Sequence, residues 1–154
     1  MKTVFLSTAL AGALAPTLAA HAVDDVKVFP SSACQAIFGT EAADLAHGVA
    51  FLLNLGTANR SVVCPIVRDN HDNRDGVRSV GVRVASLNGT TLTCGLSSLS
   101  ARGDLLELDT NSTTSTSVTN LPLDIDTSRK GGTYVLACEL PPGGQILSYQ
   151  LREF

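Results

Sequence analysis

The chain has no tryptophan, two tyrosines and one methionine. Platforms that hold bases or sugars by stacking are built from aromatic rings, so no such platform is expected. A basic stripe is missing too. Lys and Arg number 11 against 14 Asp and Glu, the formal net charge is −3, and only Arg129-Lys130 stand side by side. Clustered basic charge is the footprint of nucleic-acid binding, so nucleic acid is not an expected partner. The signatures of common catalytic machinery are absent as well. There is no G-x-S-x-G elbow, no H-E-x-x-H helix and no phosphate-cradling glycine loop. No C-x-x-C or C-x-x-H spacing suggests zinc. The expectation is a protein that is not an enzyme and needs no cofactor.

Long apolar runs are also lacking, with one short exception at the start. Lys2 supplies a positive end, Val4 to Ala15 is apolar, and small residues follow at Leu18-Ala19-Ala20 and Ala20-His21-Ala22. That is the layout of a secretory signal peptide, compact like bacterial ones, and its apolar part is too short to span a bilayer. Residues 1–22 are read as signal peptide and 23–154 as one domain, with cleavage after Ala20 or Ala22. No membrane span is expected after cleavage. The reading is a secreted, extracellular protein, with the periplasm as the alternative. About 132 residues then remain, enough to bury roughly two-thirds of the unfolded surface.

What is present is an even set of cysteines, Cys34, Cys64, Cys94 and Cys138, all beyond the signal segment. In an exported chain that reads as two disulfides. Of the three pairings, Cys34–Cys64 with Cys94–Cys138 is favoured, because Cys94 and Cys138 both fall on the apolar faces of their strands. Loops of these lengths are worth roughly 3.5–4 kcal/mol each in the chain-entropy account. A core bond between Cys94 and Cys138 would be similar in place to the inter-sheet disulfide of immunoglobulin-like sandwiches, whose partner tryptophan is missing here.

Periodicity points to β structure nearly everywhere. Asp24 to Phe29 suggests a strand ended by Pro30. Thr40 caps a short helix over Glu41 to His47, stopped by Gly48. From there the period is two. Val49, Phe51, Leu53 and Leu55 share a face. Val62 to Val67 is apolar on both faces and reads as a central strand, with Pro65 demanding a bulge or a gap in the ladder. Val80, Val82 and Val84 alternate with Gly81, Arg83 and Ala85. Asn88-Gly89 signals a hairpin before Leu92, Cys94 and Leu96. Arg102-Gly103-Asp104 turns the chain into Leu106 and Leu108, set against Glu107 and Asp109. Leu121, Leu123 and Ile125 alternate with Pro122, Asp124 and Asp126. Tyr134, Leu136, Cys138 and Leu140, the turn Pro141-Pro142-Gly143-Gly144, then Leu147, Tyr149 and Leu151 read as a last hairpin. Eight or nine short strands at turn-punctuated spacing predict an all-β antiparallel sandwich, jelly-roll or immunoglobulin-like.

The best candidate for a site is the loop that leaves the Cys64 strand. Arg68, Asp69, His71, Asp72 and Asp75 crowd it, with Asn70 and Asn73. Oxygen-rich loops bind calcium, but the EF-hand register fails, since it would put His71 first and Val82 twelfth. Asx-turns in a solvated connection account for the same residues. Copper is the other metal considered: cleavage after Ala20 would expose His21 as an amino-terminal ligand, and N and O donors suit Cu(II). In that one residue the chain resembles secreted copper proteins such as lytic polysaccharide monooxygenases and periplasmic copper carriers. The pairs Glu107/Asp109 and Asp124/Asp126 read as a wet sheet face. Asn59-Arg60-Ser61, Asn88-Gly89-Thr90 and Asn111-Ser112-Thr113 match the glycosylation pattern and are read as turn residues.

Ser32-Ala33-Cys34-Gln35, Val63-Cys64-Pro65-Ile66-Val67-Arg68-Asp69, Cys138-Glu139-Leu140-Pro141-Pro142 and Ile146-Leu147-Ser148-Tyr149 together resemble small secreted bacterial proteins of unknown function. The resemblance implies a disulfide-bonded β protein and brings no activity with it. Function is therefore expected to be that of a non-catalytic extracellular module, structural or binding an unknown ligand, carbohydrate or surface. The alternative is a secreted protein that binds calcium or copper.

Overall fold

The computed structural model describes residues 25–68, 76–127 and 132–153. The expected signal peptide lies outside them. Strands β1 (Asp25–Pro30), β2 (Gln35–Ala36), β3 (Leu45–His47), β4 (Leu52–Asn54), β5 (Arg60–Cys64), β6 (Val77–Ser86), β7 (Leu92–Leu99), β8 (Leu105–Thr113), β9 (Thr119–Asp124), β10 (Thr133–Leu140) and β11 (Gly144–Glu153) follow in chain order. They form two antiparallel sheets. Sheet A runs β3-β4-β11-β6-β9, with β1 also on β11, and sheet B runs β2-β5-β10-β7-β8. The all-β sandwich expected from the alternation is present, with eleven strands rather than eight or nine.

The chain crosses repeatedly between the sheets. β4 and β6 lie in sheet A and their successors β5 and β7 in sheet B, while β8 and β10 lie in sheet B and their successors β9 and β11 in sheet A. This is the jelly-roll pattern of arched crossings. It corrects two of the expected hairpins. Asn88-Gly89 and Pro141 to Gly144 are turns as predicted, but each carries the chain across the core. The arches lie side by side: Leu87 N–H donates to Gly143 O at 3.0 Å, and Asn88 Nδ2 donates to Pro142 O at 3.0 Å. A turn signal says that the chain reverses; it does not say whether the next strand pairs or stacks. The true hairpin in this region joins β7 to β8, where Gly103 takes the left-handed conformation (φ 86°).

Aliphatic residues fill the interior. Val80, Val82 and Val84 of β6 and Ile146, Tyr149 and Leu151 of β11 face Leu92, Cys94 and Leu96 of β7 and Leu136, Cys138 and Leu140 of β10, all buried. A register shift between Ile146 and Ser148 turns Ile146 inward in place of the expected Leu147. Both disulfides form in the favoured pairing. Cys138 stands directly opposite Cys94 in the β10–β7 ladder, with Cα atoms 4.0 Å apart. Cys34 precedes the Gln35–Val63 pair and so stands opposite Cys64. Both bonds are therefore cross-strand links within sheet B, in the core as expected but not between the sheets.

Three other expectations are corrected. The segment read as a helix is a 3-10 turn, Gly39–Asp44, with no buried residue. Without an apolar stripe to anchor, so short a helix has little to hold it, and Leu45 goes into sheet A instead. The strand read through Val49 to Leu55 shortens to β4, Leu52–Asn54, which pairs with β3 as a hairpin. Val62–Val67 is not one central strand. β5 ends at Cys64 and has only the two-residue β2 on its outer side. Pro65 stands just outside the ladder, where its missing N–H costs nothing, and its carbonyl accepts a hydrogen bond from Tyr149 Oη at 2.7 Å. That bond links sheet A to the end of β5. Phe29 stacks on the same ring, with centroids 5.1 Å apart.

The acidic pairs of β8 close the sandwich. Register with β7 puts Glu107, Asp109 and Asn111 on the inward face and Leu108 outward, the reverse of the apolar parity read from the sequence. β9 is the edge of sheet A, and edge strands carry unpaired backbone groups. Side chains of β8 pair them. Glu107 Oε2 accepts from Thr127 N–H at 2.5 Å, Asp109 Oδ2 accepts from Asp124 N–H at 2.8 Å, and Asn111 Nδ2 donates to Pro122 O at 3.1 Å.

Removing one stitch in Asp109→Ala should cost about 1 kcal/mol, roughly 3–6 °C of melting temperature for a domain of this size. A calorimetric scan with no shift would mean that water replaces the carboxylate. Burial pushes the Tyr149 hydroxyl up to about 12 from its usual 10.0. A raised folded-state pKa contributes stability in full below the unfolded value and loses it as pH rises through the folded one. Stability should therefore fall between about pH 10 and pH 12. Tyr149→Phe should be less stable than wild type at pH 8 and should flatten this alkaline decline, measured by urea melts across the range.

Candidate functional site

Of the loop singled out from the sequence, the structure describes Arg68. Asp69, His71, Asp72 and Asp75 lie outside the described residues. Arg68 is reached from β5 through Pro65 to Val67, and it folds back over the open end of the sandwich. Its side chain is 6% exposed, and Nε lies 3.9 Å from Glu153 Oε1. The guanidinium carbon sits 5.2 Å from the centre of the Tyr134 ring, and Nη1 donates to Gly132 O at 3.5 Å. Glu153 is held in turn by Lys27 at 2.7 Å. These contacts make the arginine a plug between the sheet ends, with its long stem packed and its charge matched. Among the described residues no three His, Cys, Asp or Glu side chains gather as a metal site would need.

The sequons have structural work. Asn59 Nδ2 donates to Glu139 Oε1 at 2.7 Å, and the amides of Asn88 and Asn111 hold the arch and the β8–β9 seam already described. Each side-chain amide is thus occupied in holding one segment to another.

A more concave polar surface lies on the outer face of sheet A. There the central strand β6 presents Ser79, Gly81 and Arg83 outward, because Val80, Val82 and Val84 point into the core. β11 flanks it on one side and β9 on the other. Register places Arg152 and Asp124 beside Ser79, Gln150 and Pro122 beside Gly81, and Ser148 and Asn120 beside Arg83. Adjacent strands are ~4.8 Å apart, so β11 and β9 stand about 10 Å from each other. Gly81 has no side chain to fill that gap. The result is a trough of about 180 Å³ lined by Ser79, Gly81, Asn120, Pro122, Asp124, Gln150 and Arg152. A Cβ added at Gly81 would come within 2.9 Å of Asn120 Oδ1 and 3.1 Å of Gln150 Nε2. Both amides therefore lean over the glycine and present their donors and acceptors along the trough.

Sequence reading saw the alternation that makes this surface but attached no role to it. The available signal was one residue, a glycine in the middle of an otherwise valine-rich strand, which marks a close approach or an open space. Gln150 and Asn120 are distant in sequence and become neighbours only through the ladder register. A second hollow, about 230 Å³, is lined by Ala33, Gln35, Val63 and Pro65 at the β2–β5 edge of sheet B. Among the described residues its lining holds a single polar side chain and no charge.

No protein-family model matches the chain, and no curated protein sequence matches it. Among solved structures it is similar to a family 61 carbohydrate-binding module in complex with β-1,4-galactotriose, at 14% identity and a TM-score of 0.44, over 83% of this chain and 88% of that one. It is similar also to the CBM36-1 domain of a multidomain xylanase from the hindgut metagenome of Trinervitermes trinervoides, at 8% identity and a TM-score of 0.43, over 82% of this chain and 96% of that one. The GH26-CBM35 β-(1,4)-mannanase of Podospora anserina gives 9% identity and a TM-score of 0.40, over 86% of this chain and 28% of that one. Likenesses this distant carry no weight for what this chain binds; its fold stands on its own ladders and arches.

Proposed function

We propose that this is an exported, non-catalytic β-sandwich that binds a carbohydrate chain along the trough on the outer face of sheet A. The observation that carries the reading is the polar hollow beside Gly81, where the missing side chain lets the Gln150 and Asn120 amides close over the strand. Amides, a hydroxyl, a carboxylate and a guanidinium line it, and such groups match hydroxyl-rich ligands, each of whose hydroxyls both donates and accepts. The floor and one wall belong to β6 and β11, each hydrogen-bonded to neighbours on both sides. Groups on such strands are held more precisely than groups on loops. The disulfides fit an oxidising compartment, which supports export.

Gly81→Val tests the reading. Its backbone lies outside the left-handed region, a β-branched residue suits a strand, and the atoms it would displace are the ends of flexible side chains, so the variant should fold, with its melting temperature measured beside binding. The added side chain fills the floor. Binding to soluble polysaccharides, measured by affinity electrophoresis against galactan, xylan, mannan and polygalacturonate, should weaken at least about tenfold, the effect of losing ~1.4 kcal/mol of contact. Equal retardation of wild type and variant on every polysaccharide would place binding elsewhere. No retardation of wild type on any of them would end the carbohydrate reading.

A further inference from the structure

The trough is not electrically uniform along its length, and that difference narrows the ligand. At one end the row across the sheet is Arg152, Ser79 and Asp124, which offers charge of both signs. In the middle lie Gln150, Gly81 and Pro122. At the far end the row is Ser148, Arg83 and Asn120. Arg83 rises from the floor strand itself, two residues along the outer face from Gly81 and just beyond the residues that line the hollow. It is exposed, and no carboxylate shares its row. Among the described residues no salt bridge or side-chain hydrogen bond involves Arg83. Among the described residues the side chains of Arg102 and Arg152 likewise show no salt bridge or hydrogen bond, but Arg152 shares its row with Asp124. Arg60 is paired with Asp44, and Arg68 is packed beside Glu153.

A guanidinium has five N–H donors and no acceptor, and it matches a carboxylate or sulfate by two parallel bonds. A neutral hydroxyl uses only part of that fork. We propose that Arg83 reads an acidic substituent, and that the carbohydrate held in the trough carries carboxylate or sulfate groups. This rests on the trough being the glycan site. It goes further in naming the chemical class of the ligand and the residue that selects it. Ser148 and Asn120, on either side of Arg83, add a hydroxyl and an amide donor to the same anion. The opposite end, with Arg152 and Asp124 flanking Ser79, suits neutral hydroxyls, which need both a donor and an acceptor. An acidic glycan would therefore lie along β6 in one direction, with its acidic group at Arg83.

The test compares wild type, Arg83→Gln and Arg102→Gln by titration calorimetry. Arg102 is exposed in the β7–β8 turn and serves as the charge control. The ligands are polygalacturonate for carboxylate, a sulfated galactan for sulfate, and unsubstituted galactan as the neutral arm. Wild type should bind at least one acidic polymer more tightly than the neutral one, and that preference should shrink as sodium chloride is raised, because exposed charge pairs are screened. Arg83→Gln should lose about tenfold toward the acidic polymer, keep its affinity for neutral galactan, and melt at the wild-type temperature. Arg102→Gln should bind as wild type does. Binding of polygalacturonate alone assigns carboxylate, and of the sulfated polymer alone, sulfate. If neutral galactan binds as tightly as either acidic polymer, or if Arg83→Gln leaves acidic binding unchanged, the acidic assignment falls while the trough stands. If Gly81→Val also leaves all binding unchanged, the trough falls with it.

Discussion

Cys34–Cys64 and Cys94–Cys138 tie sheet B to itself and leave sheet A without a covalent link. Each joins residues that face each other across adjacent strands. Together they couple β5 to the segment entering β2 and β7 to β10, so that sheet B is a cross-linked slab. Their inward position makes the sulfurs part of the core beside Leu96 and Leu136. This matters in a chain with no tryptophan, where Tyr149 is the largest fully buried side chain. Sheet A gets its position from that slab by non-covalent means: the arches, the aliphatic contacts, and the Tyr149 hydroxyl on the Pro65 carbonyl. Denatured-state entropy is thus restricted in one sheet, while the surface with the polar trough is carried by the other.

The second constraint is the edge. A sandwich has open strand edges on both sheets, and each is a template for wrong pairing. At β8 and β9 the two edges come together, and polar side chains on the inward face of β8 satisfy the backbone of β9. The spacing of two between Glu107, Asp109 and Asn111 is what this requires. Successive inward positions on one strand meet successive backbone groups on the next. The exposed Leu108 follows from the same choice, since turning the acids inward turns the leucine out.

Much of the fold was legible in the residues, and the misreadings share a cause. Period-two patterning reports which side chains share a face, and it placed Val80, Val82 and Val84 and Tyr134, Leu136, Cys138 and Leu140 correctly. Parity also paired the cysteines. It cannot say which sheet the next strand joins, so the same pattern suits a hairpin or an arch, and a core disulfide within one sheet or between two. Inference from hydrophobicity failed outright at β8, because there the inward face is lined with backbone acceptors and donors instead of apolar atoms. Pro65 was read correctly as incompatible with a ladder, but ending a strand satisfies that requirement as well as interrupting one. The trough was the least legible feature. Its residues come from β6, β9 and β11, and its defining event is a missing side chain.

Among the described residues the trough has no aromatic ring in its lining, and the proposed binding would have to work without stacking. Stacking supplies affinity with little regard for the substituents on a sugar, while hydrogen bonds supply discrimination, since a polar group left unpaired on binding loses its water for nothing. On the proposed reading the trough on sheet A takes the second course. Its amides and guanidinium groups contribute only where their geometry is right, and geometry is what the flanking ladders provide. Gln150 and Asn120 are placed by strands paired to β6, and β6 is locked between them over six register partners on the β9 side alone. Side chains fixed on such a base lose less freedom when a ligand arrives. On that reading affinity would be modest and preference sharp, and selectivity would depend on the register of β6, β9 and β11 more than on any single side chain.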